Sequence, residues 1–569
     1  MEPKAKRIKV DRGSSSPRQT FNTIQLTPSS VQQAPKVAMK RTIELLPAEQ
    51  LLRDLLLECA QHFPGLQLWI AGGWVRDRLL GIPSSDLDLA LTNVTGRQFG
   101  TYLESFSAKP DIQAKYHQKA AGLGIPHTSF TRFYIVERNV NKAKKLETAG
   151  GKLFGLDIDL VNLRKEVYDG HSRTPEMEFG TPEEDTFRRD ATVNSLLFDL
   201  EKREVVDLTG RGLQDLDARI MRTPLDPRQT FMDDPLRVLR LIRIGSKLGF
   251  AIDTEAMNCM KEKDIRRALD TIITRDRIGV EVFKMMNSPH PEVAFERLWE
   301  ANLYSPVFIR LDSSLLHNLQ AECPTSGSAS ESWPSTWPRA YRLLDYLLAD
   351  SGNLGKLVKG ETTADHLWTM AAYAPFSVLR HTMLKQAVEE ATTAVRATAK
   401  ISKLLRDALT NFDSIHAIVD TVADEPEKFP PRSLVGMAIR SWGTTWVAQV
   451  TYVMLALVMS SQTESSGSFP STSSAEKWPE DSVFLKFSAF ADFVFRSNLR
   501  DAHLQRPLLD GNEIQRLYGV HKGGKFVKSA LDGLVAWQLD HPESGIDEAK
   551  AWLLGRREEL GVPSSSEAK

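Results

Sequence analysis

Asp86 and Asp88 stand one residue apart in the run DLDLAL. Carboxylate alternating with apolar residue is the pattern of a half-buried strand, in which side chains at i and i+2 share a face. Both carboxylates then point one way while Leu87 and Leu89 point into a core. Two such anions side by side repel. A hard divalent cation relieves that repulsion, and Mg²⁺ takes few protein carboxylates and completes its shell with phosphate oxygens. Thirteen residues before Asp86 lies Gly73, which with Gly72 ends the apolar run LWIA. Glycine lets backbone N–H groups approach a phosphate, and the helix start that follows favours negative charge. Arg76, on the first turn of that helix, is placed to join the grip. A lone DxD is usually a solvated strand edge and a lone GG a turn. Together, at this spacing, they point to a nucleotide phosphate held beside a metal ion.

Two further clusters carry charge in a pattern. In TPEEDTFRRDATVNSLLFDL, Thr181, Pro182 and Glu184 predict a helix start with a capping box. Arg188, Arg189 and Asp190 follow, and Asn194 is a polar residue among apolar neighbours. In MDDPLRVLRLIRIGSKLGF, Asp233 and Asp234 precede Pro235 as an acidic helix start should, and Arg237, Arg240 and Arg243 recur every third residue. Three arginines on one helix face repel unless an anion lies opposite. A triphosphate would serve; a solvated basic stripe is the plainer alternative.

The elements that must position these residues are mixed at first and helical later. A helix is predicted over 43–60 and strands over 68–71, 86–91, 132–137 and 156–163. Beyond about residue 230 the pattern is helical, interrupted by Ser/Pro/Gly-rich stretches at 323–338 and 460–479 that read as insertions. There are 72 Lys+Arg and 73 Asp+Glu among 569 residues, so any nucleic-acid surface must be local. Cys59, Cys259 and Cys323 are too few and too scattered for a disulfide scaffold or a Cys-rich zinc site. The most apolar run, 447–459, falls short of the roughly 20 residues a membrane span needs and carries Gln449 and Thr451, so it is predicted as a buried helix. The first 38 residues are polar, and the cluster Lys4, Lys6, Arg7 and Lys9 suits a nuclear address or a solvated basic tail. Glu2 and Asp11 are their only acids, which equally suits a mitochondrial leader with Met39 as an internal start.

The run GGWVRDRLLGIPSSDLD, the run RRDATVNSL and the series Asp233, Asp234, Arg237, Arg240, Arg243 together resemble the motifs of the class II tRNA nucleotidyltransferases. These are the CCA-adding enzymes and the related bacterial poly(A) polymerases, members of the polymerase-β-like superfamily. The segment GLDIDLVNLRKEVYDG is similar to that of fungal members. The resemblance covers residues 68–285 closely and 500–555 loosely. It implies an α+β multidomain chain: a basic segment at 1–38, a head with a mixed sheet and helices at 39–205, then all-α neck (206–290), body (291–485) and tail (486–569).

By that resemblance, Asp86 and Asp88 hold two Mg²⁺ ions, and Asp159 on a neighbouring strand is the third acid. Gly72, Gly73, Arg76, Arg189, Arg240 and Arg243 cradle the phosphates and sugar. Residues 207–220 form a hinge, and the basic stretch 108–149, with His117, Lys119, Lys142, Lys144 and Lys145, contains a flexible loop. Asp276, Arg277, Ile278 and Glu281 match a helix-supporting motif, while Lys522, Lys525 and Lys528 meet the tRNA backbone. Asp234 and Arg237 read the base. A carboxylate only accepts hydrogen bonds and a guanidinium only donates them. Cytosine and adenine each place an exocyclic amine beside an acceptor nitrogen, whereas uracil and guanine reverse that pattern, so an Asp–Arg pair on one helix face accepts C and A alone. The implied activity is addition of C, C and A to the tRNA 3′ end from CTP and ATP. No membrane and no obligate protein partner are implied. The alternatives are a poly(A) polymerase, an enzyme adding only CC or only A, and a non-catalytic RNA-binding scaffold.

Overall fold

A computed structural model describes residues 42–126, 128, 130–136, 148–167, 176–322, 332–361, 363–424, 430–460, 478–520 and 523–562. The basic segment 1–38, Lys142, Lys144, Lys145, Cys323, Lys522 and most of both Ser/Pro/Gly-rich stretches lie outside the described residues.

The first helix, α1 (Pro47–Ala60), starts four residues later than predicted because Pro47 sits at its first turn and Glu49 bonds back to the Leu46 N–H. It buries Leu51, Leu52, Leu55 and Leu56. Then come β1 (Leu68–Ala71), α2 (Gly73–Leu79), β2 (Asp86–Leu91), α3 (Gly96–Ser107), α4 (Pro110–Gly122), β3 (Thr131–Val136), β4 (Thr148–Leu153) and β5 (Leu156–Asn162). A hairpin of β6 (Arg164–Val167) and β7 (Glu176–Phe179) leads to α5 (Pro182–Phe187), whose capping box is formed by Thr181 and Glu184 as predicted. Strands β8 (Leu197–Asp199) and β9 (Glu204–Val206) complete a seven-stranded sheet of order β3-β4-β5-β2-β1-β8-β9. Only β2 and β5 pair in parallel; every other neighbour in this sheet is antiparallel. Parallel neighbours need a long crossover, and α3, α4, β3 and β4 supply it. In β2 the alternation holds: Leu87 and Leu89 are buried while Asp86 and Asp88 are exposed.

Helix α6 (Gly212–Ala218) follows, and β10 (Ile220–Met221) pairs with β11 (Ala251–Ile252). Between and after them lie α7 (Pro227–Asp233), α8 (Leu236–Leu248), α9 (Thr254–Met260), α10 (Lys263–Ile272) and α11 (Arg275–Met286). The rest is helical. The segment Arg432–Ser460 has the length and hydropathy of a membrane span, yet 72% of its apolar window is buried inside the protein. Gly443 breaks it at φ 76°. Gln449 is fully buried and satisfied by the Trp442 carbonyl (2.8 Å), Thr445 Oγ1 (3.0 Å) and Asn411 (2.8 Å).

The last helices, Gly511–Tyr518, Lys525–Asp540 and Ile546–Gly555, enclose a separate core that includes Leu509, Ile514, Tyr518, Phe526, Leu534 and Leu553. Helix Ser482–Arg496 instead buries Phe487 and Phe490 in the main core, and Lys486 lies 2.7 Å from Asp420. Val535 and Leu539 of helix Lys525–Asp540 also join the main core.

Candidate active site

Parallel register sets Asp86 beside Asp157 and Asp88 beside Asp159, so four carboxylates share the open face of the sheet. Burial, then Asp159 and Asp157, raises the Asp86 carboxyl above its ordinary range. Asp88 is open to solvent but closely ringed by protein. That crowding, then Asp86, pushes it up to about 6, against the pull of Arg189 and Arg240. Asp157 is matched by Lys152 at 3.2 Å. Asp159 accepts a hydrogen bond from the Tyr134 hydroxyl. Among the described residues no three His, Cys, Asp or Glu side chains converge to enclose an ion by themselves. The donor set that remains is a mutually repelling carboxylate group on an open face. It fits a hard divalent cation whose other ligands are phosphate oxygens.

Gly72 adopts φ 76°, which favours glycine. A side chain there would stand 3.2 Å from Arg189 Nη1 and 3.8 Å from Asp88 Oδ2. The glycine turn, Arg189 and Asp88 thus line one corner. Arg189 is fixed by Asp185, with Nε 3.0 Å and Nη2 2.6 Å from Oδ2. Burial would raise the Asp185 carboxyl, but Arg189 and Arg188 outweigh it and hold it below the usual range.

Arg76 departs from expectation. Its side chain is buried, with Nε 2.8 Å from Asp77 Oδ1 and Nη1 donating to Asn194 Oδ1. Its Nη2 would stand 3.5 Å from a side chain at Gly73, so it braces the glycine turn. Asn194, the odd polar residue, also donates to Asp190 at 2.9 Å.

The arginine stripe finds its counter-anions within the protein. Arg240 grips buried Asp190 through Nε at 2.8 Å and Nη2 at 2.7 Å. Arg243 pairs with Glu281 of α11, which is also buried. Charge balance along α8 therefore needs no triphosphate. Arg237 is buried and donates from Nη1 to the Thr230 carbonyl at 3.2 Å.

Asp234 does not share a helix face with Arg237. It ends α7 in extended backbone (φ −144°, ψ 97°), and α8 begins only at Leu236. This extended backbone has a local source: Pro235 disfavours helical backbone in the residue before it. Asp234 Oδ1 accepts from the Leu236 N–H (3.2 Å) and Oδ2 from Arg277 Nη2 (3.1 Å).

The hinge segment is tied down. Thr192 donates to Asp215 at 2.7 Å, and a side chain at Gly212 would lie 2.7 Å from the Thr192 carbonyl. His117 and Lys119 lie on α4, not in a loop; His117 bonds Thr128 at 2.7 Å and Lys119 lies 3.8 Å from Asp54. Lys525 and Lys528 are exposed at the start of helix Lys525–Asp540. Sequence reasoning missed Asp185, Tyr134 and the role of Arg277 as Asp234's partner. Asp185 was visible only as one acid in a run of three at a helix start.

Two family patterns match the chain: the poly(A) polymerase head domain over residues 68–222, and a probable RNA- and SrmB-binding site of polymerase A over 249–315. Nucleotidyltransferase lcsQ of Purpureocillium lilacinum is 34% identical over 94% of this chain and 95% of its own length. The mitochondrial CCA tRNA nucleotidyltransferase of Saccharomyces cerevisiae is 32% identical over 85% of this chain and 86% of its own. Among solved structures, the Thermotoga maritima CCA-adding enzyme complexed with tRNA aligns with a TM-score of 0.57 at 17% identity, over 90% of this chain and 96% of its own. A CCA-adding enzyme with ATP aligns with a TM-score of 0.55 at 17% identity, over 90% and 96%. These two likenesses show a common fold.

Proposed function

The chain belongs to the family of tRNA nucleotidyltransferases and poly(A) polymerases, and we propose that it adds C, C and A in turn to the 3′ end of tRNA. The donors are CTP and ATP, selected by protein groups in place of a nucleic-acid template. The tRNA 3′-hydroxyl attacks the α-phosphate and pyrophosphate leaves. The observation that carries this reading is the corner where Asp86 and Asp88 stand on an open sheet face beside Gly72 and Arg189.

Asp86 and Asp88 would hold Mg²⁺, with Asp159 as the third carboxylate. The chemistry two such ions supply is a lowered pKa for the attacking hydroxyl and charge balance for the departing pyrophosphate. The backbone at Gly72 and Gly73 leaves room for a triphosphate, and Arg189, fixed by Asp185, meets its phosphates or sugar. Arg240, held by Asp190, keeps α8 against the head, and Arg243, held by Glu281, keeps it against α11. Asp234 and Arg237 read the base, Asp234 through oxygens already oriented by Leu236 and Arg277. Lys525 and Lys528 approach the tRNA backbone. The mitochondrial relative and the acid-poor first 38 residues support a mitochondrial destination. Initiation at Met39 would supply a cytosolic form, and the cluster Lys4, Lys6, Arg7 and Lys9 would send the longer form to the nucleus.

The test is incorporation of each labelled nucleoside triphosphate, with Mg²⁺, into tRNA transcripts ending before CCA, after C and after CC. The expected result is CTP on the first two, ATP on the third, and then arrest. ATP alone, extended without arrest, replaces this reading with a poly(A) polymerase. A single missing step means an enzyme of split activity, and no incorporation means a scaffold.

A further inference from the structure

The sheet register sets one row of residues side by side across five strands: Tyr134 on β3, Gly150 on β4, Asp159 on β5, Asp88 on β2 and Ala71 on β1. Cross-strand neighbours share a face of the sheet. Gly150 offers no side chain, so the ring of Tyr134 lies over it and reaches the next strand, where the hydroxyl donates to Asp159 Oδ1. A Cβ at Gly150 would stand 2.5 Å from Asp159 Oδ1 and closer still to the phenol oxygen. Its own φ is not in the left-handed region, so the backbone does not demand glycine here. The reach of Tyr134 does.

The two carboxylates of β5 are thereby sorted. Asp157 is met by a cation, Lys152, at 3.2 Å. Asp159 is met by a neutral O–H, which satisfies one oxygen and fixes the carboxylate while leaving its charge in the cleft. Asp159 is near enough to Asp86 and Asp88 to act electrostatically on both.

We propose that Tyr134 is a positioning residue for the third active-site carboxylate, and that Gly150 is the gap through which it reaches Asp159. The proposal rests on the reading of Asp86, Asp88 and Asp159 as a divalent-cation site. Groups that orient metal-binding residues typically change metal affinity by about 10- to 100-fold when lost. Tyr134→Phe removes only the hydroxyl. The half-saturating Mg²⁺ concentration for CTP incorporation should rise about tenfold, with a much smaller fall in kcat at saturating Mg²⁺. Direct Mn²⁺ binding to the full chain without nucleotide, followed by electron paramagnetic resonance, should weaken in parallel, while the melting temperature stays at the wild-type value. Gly150→Ala should weaken Mn²⁺ binding as well. The methyl would meet both the phenol oxygen and Asp159 Oδ1, so Gly150→Ala disturbs the carboxylate directly as well as through the ring.

Wild-type Mn²⁺ binding and Mg²⁺ dependence in Tyr134→Phe would overturn the proposal. Asp86→Asn separates this failure from failure of the underlying reading. If Asp86→Asn abolishes Mn²⁺ binding while Tyr134→Phe does not alter it, only the role of Tyr134 falls. If Asp86→Asn binds Mn²⁺ like wild type, the cation site itself is wrong. Should Gly150→Ala not fold, Tyr134→Phe decides alone.

Discussion

Like charges crowd together in two places, and the fold treats them in opposite ways. Along α8, Arg240 and Arg243 are met by Asp190 and Glu281, both buried carboxylates brought in from other elements. On the β2 and β5 face, Asp86, Asp88 and Asp159 have no cationic side chain at hydrogen-bonding distance among the described residues, and burial plus mutual repulsion raises the first two. The first arrangement is a frame whose electrostatics are settled before any substrate arrives. The second is unsettled, and a bound cation would relieve its repulsion. Rigidity is placed where geometry must be held and unbalanced charge where chemistry must occur.

That contrast is broken most forcefully at the carboxylates. Asp86→Asn is expected to lower nucleotide incorporation by about a thousandfold, since metal-supplied charge stabilisation is worth several kcal/mol. Its melting temperature without metal should equal or exceed that of the wild type, because one repelling charge is gone. A variant with wild-type turnover in a steady-state incorporation assay would refute the assignment. On the neck side the sign of the stability effect reverses. Glu281→Ala leaves Arg243 without its partner, and removing one member of a buried pair costs about 3 to 5 kcal/mol. Urea unfolding should register the loss. An unchanged midpoint would mean that the frame is not electrostatic.

Much of this was legible in the sequence where the signal is local. The period-two alternation of Asp86 to Leu91 names both the strand and its open face. The capping box of Thr181 and Glu184 names a helix start. What could not be read is partnership at a distance. Asp190 lies 50 residues from Arg240, and Glu281 lies 38 from Arg243, so the stripe was matched to a substrate anion in place of the protein's own acids. Arg76 turns inward toward Asn194, 118 residues away. The shared helix face assigned to Asp234 and Arg237 failed for a local reason that spacing overlooks: Pro235 keeps Asp234 extended.

A smaller effect falls between the two regions, at Asp234, the carboxylate proposed to read the base. Arg277 holds Asp234 Oδ2 at 3.1 Å from the exposed side of α11. Arg277→Ala should raise misincorporation of UTP and GTP about tenfold, the equivalent of one lost charge-assisted hydrogen bond, with a lesser effect on CTP turnover. Asp234→Ala should relax selection further. Selectivity equal to wild type in Arg277→Ala, measured as the ratio of kcat/KM for CTP and UTP, would show that Asp234 is oriented by its backbone contact alone.

The smallest effect sharpens the comparison most directly, because it reads the unsettled charge without any substrate. Asp88 is raised to about 6 by burial first and by Asp86 next, from an unfolded value near 3.9. An acid whose folded pKa lies above its unfolded one binds its proton more tightly when folded. Its stabilising contribution is full below about pH 4 and is lost as pH rises through about 6. In metal-free protein, Asp88→Asn should therefore flatten the fall in melting temperature between pH 4 and 7, by about 1 to 2 °C given the solvent exposure of the site. Mg²⁺ at pH 7 should raise the melting temperature of the wild type, since a ligand of the native state stabilises by mass action, and should do so less for Asp88→Asn. The neck supplies the control. Arg243→Ala leaves buried Glu281 without its partner, so it should lower the melting temperature and should not flatten the fall between pH 4 and 7. If it is the neck variant that flattens the profile, the unbalanced charge has been assigned to the wrong region.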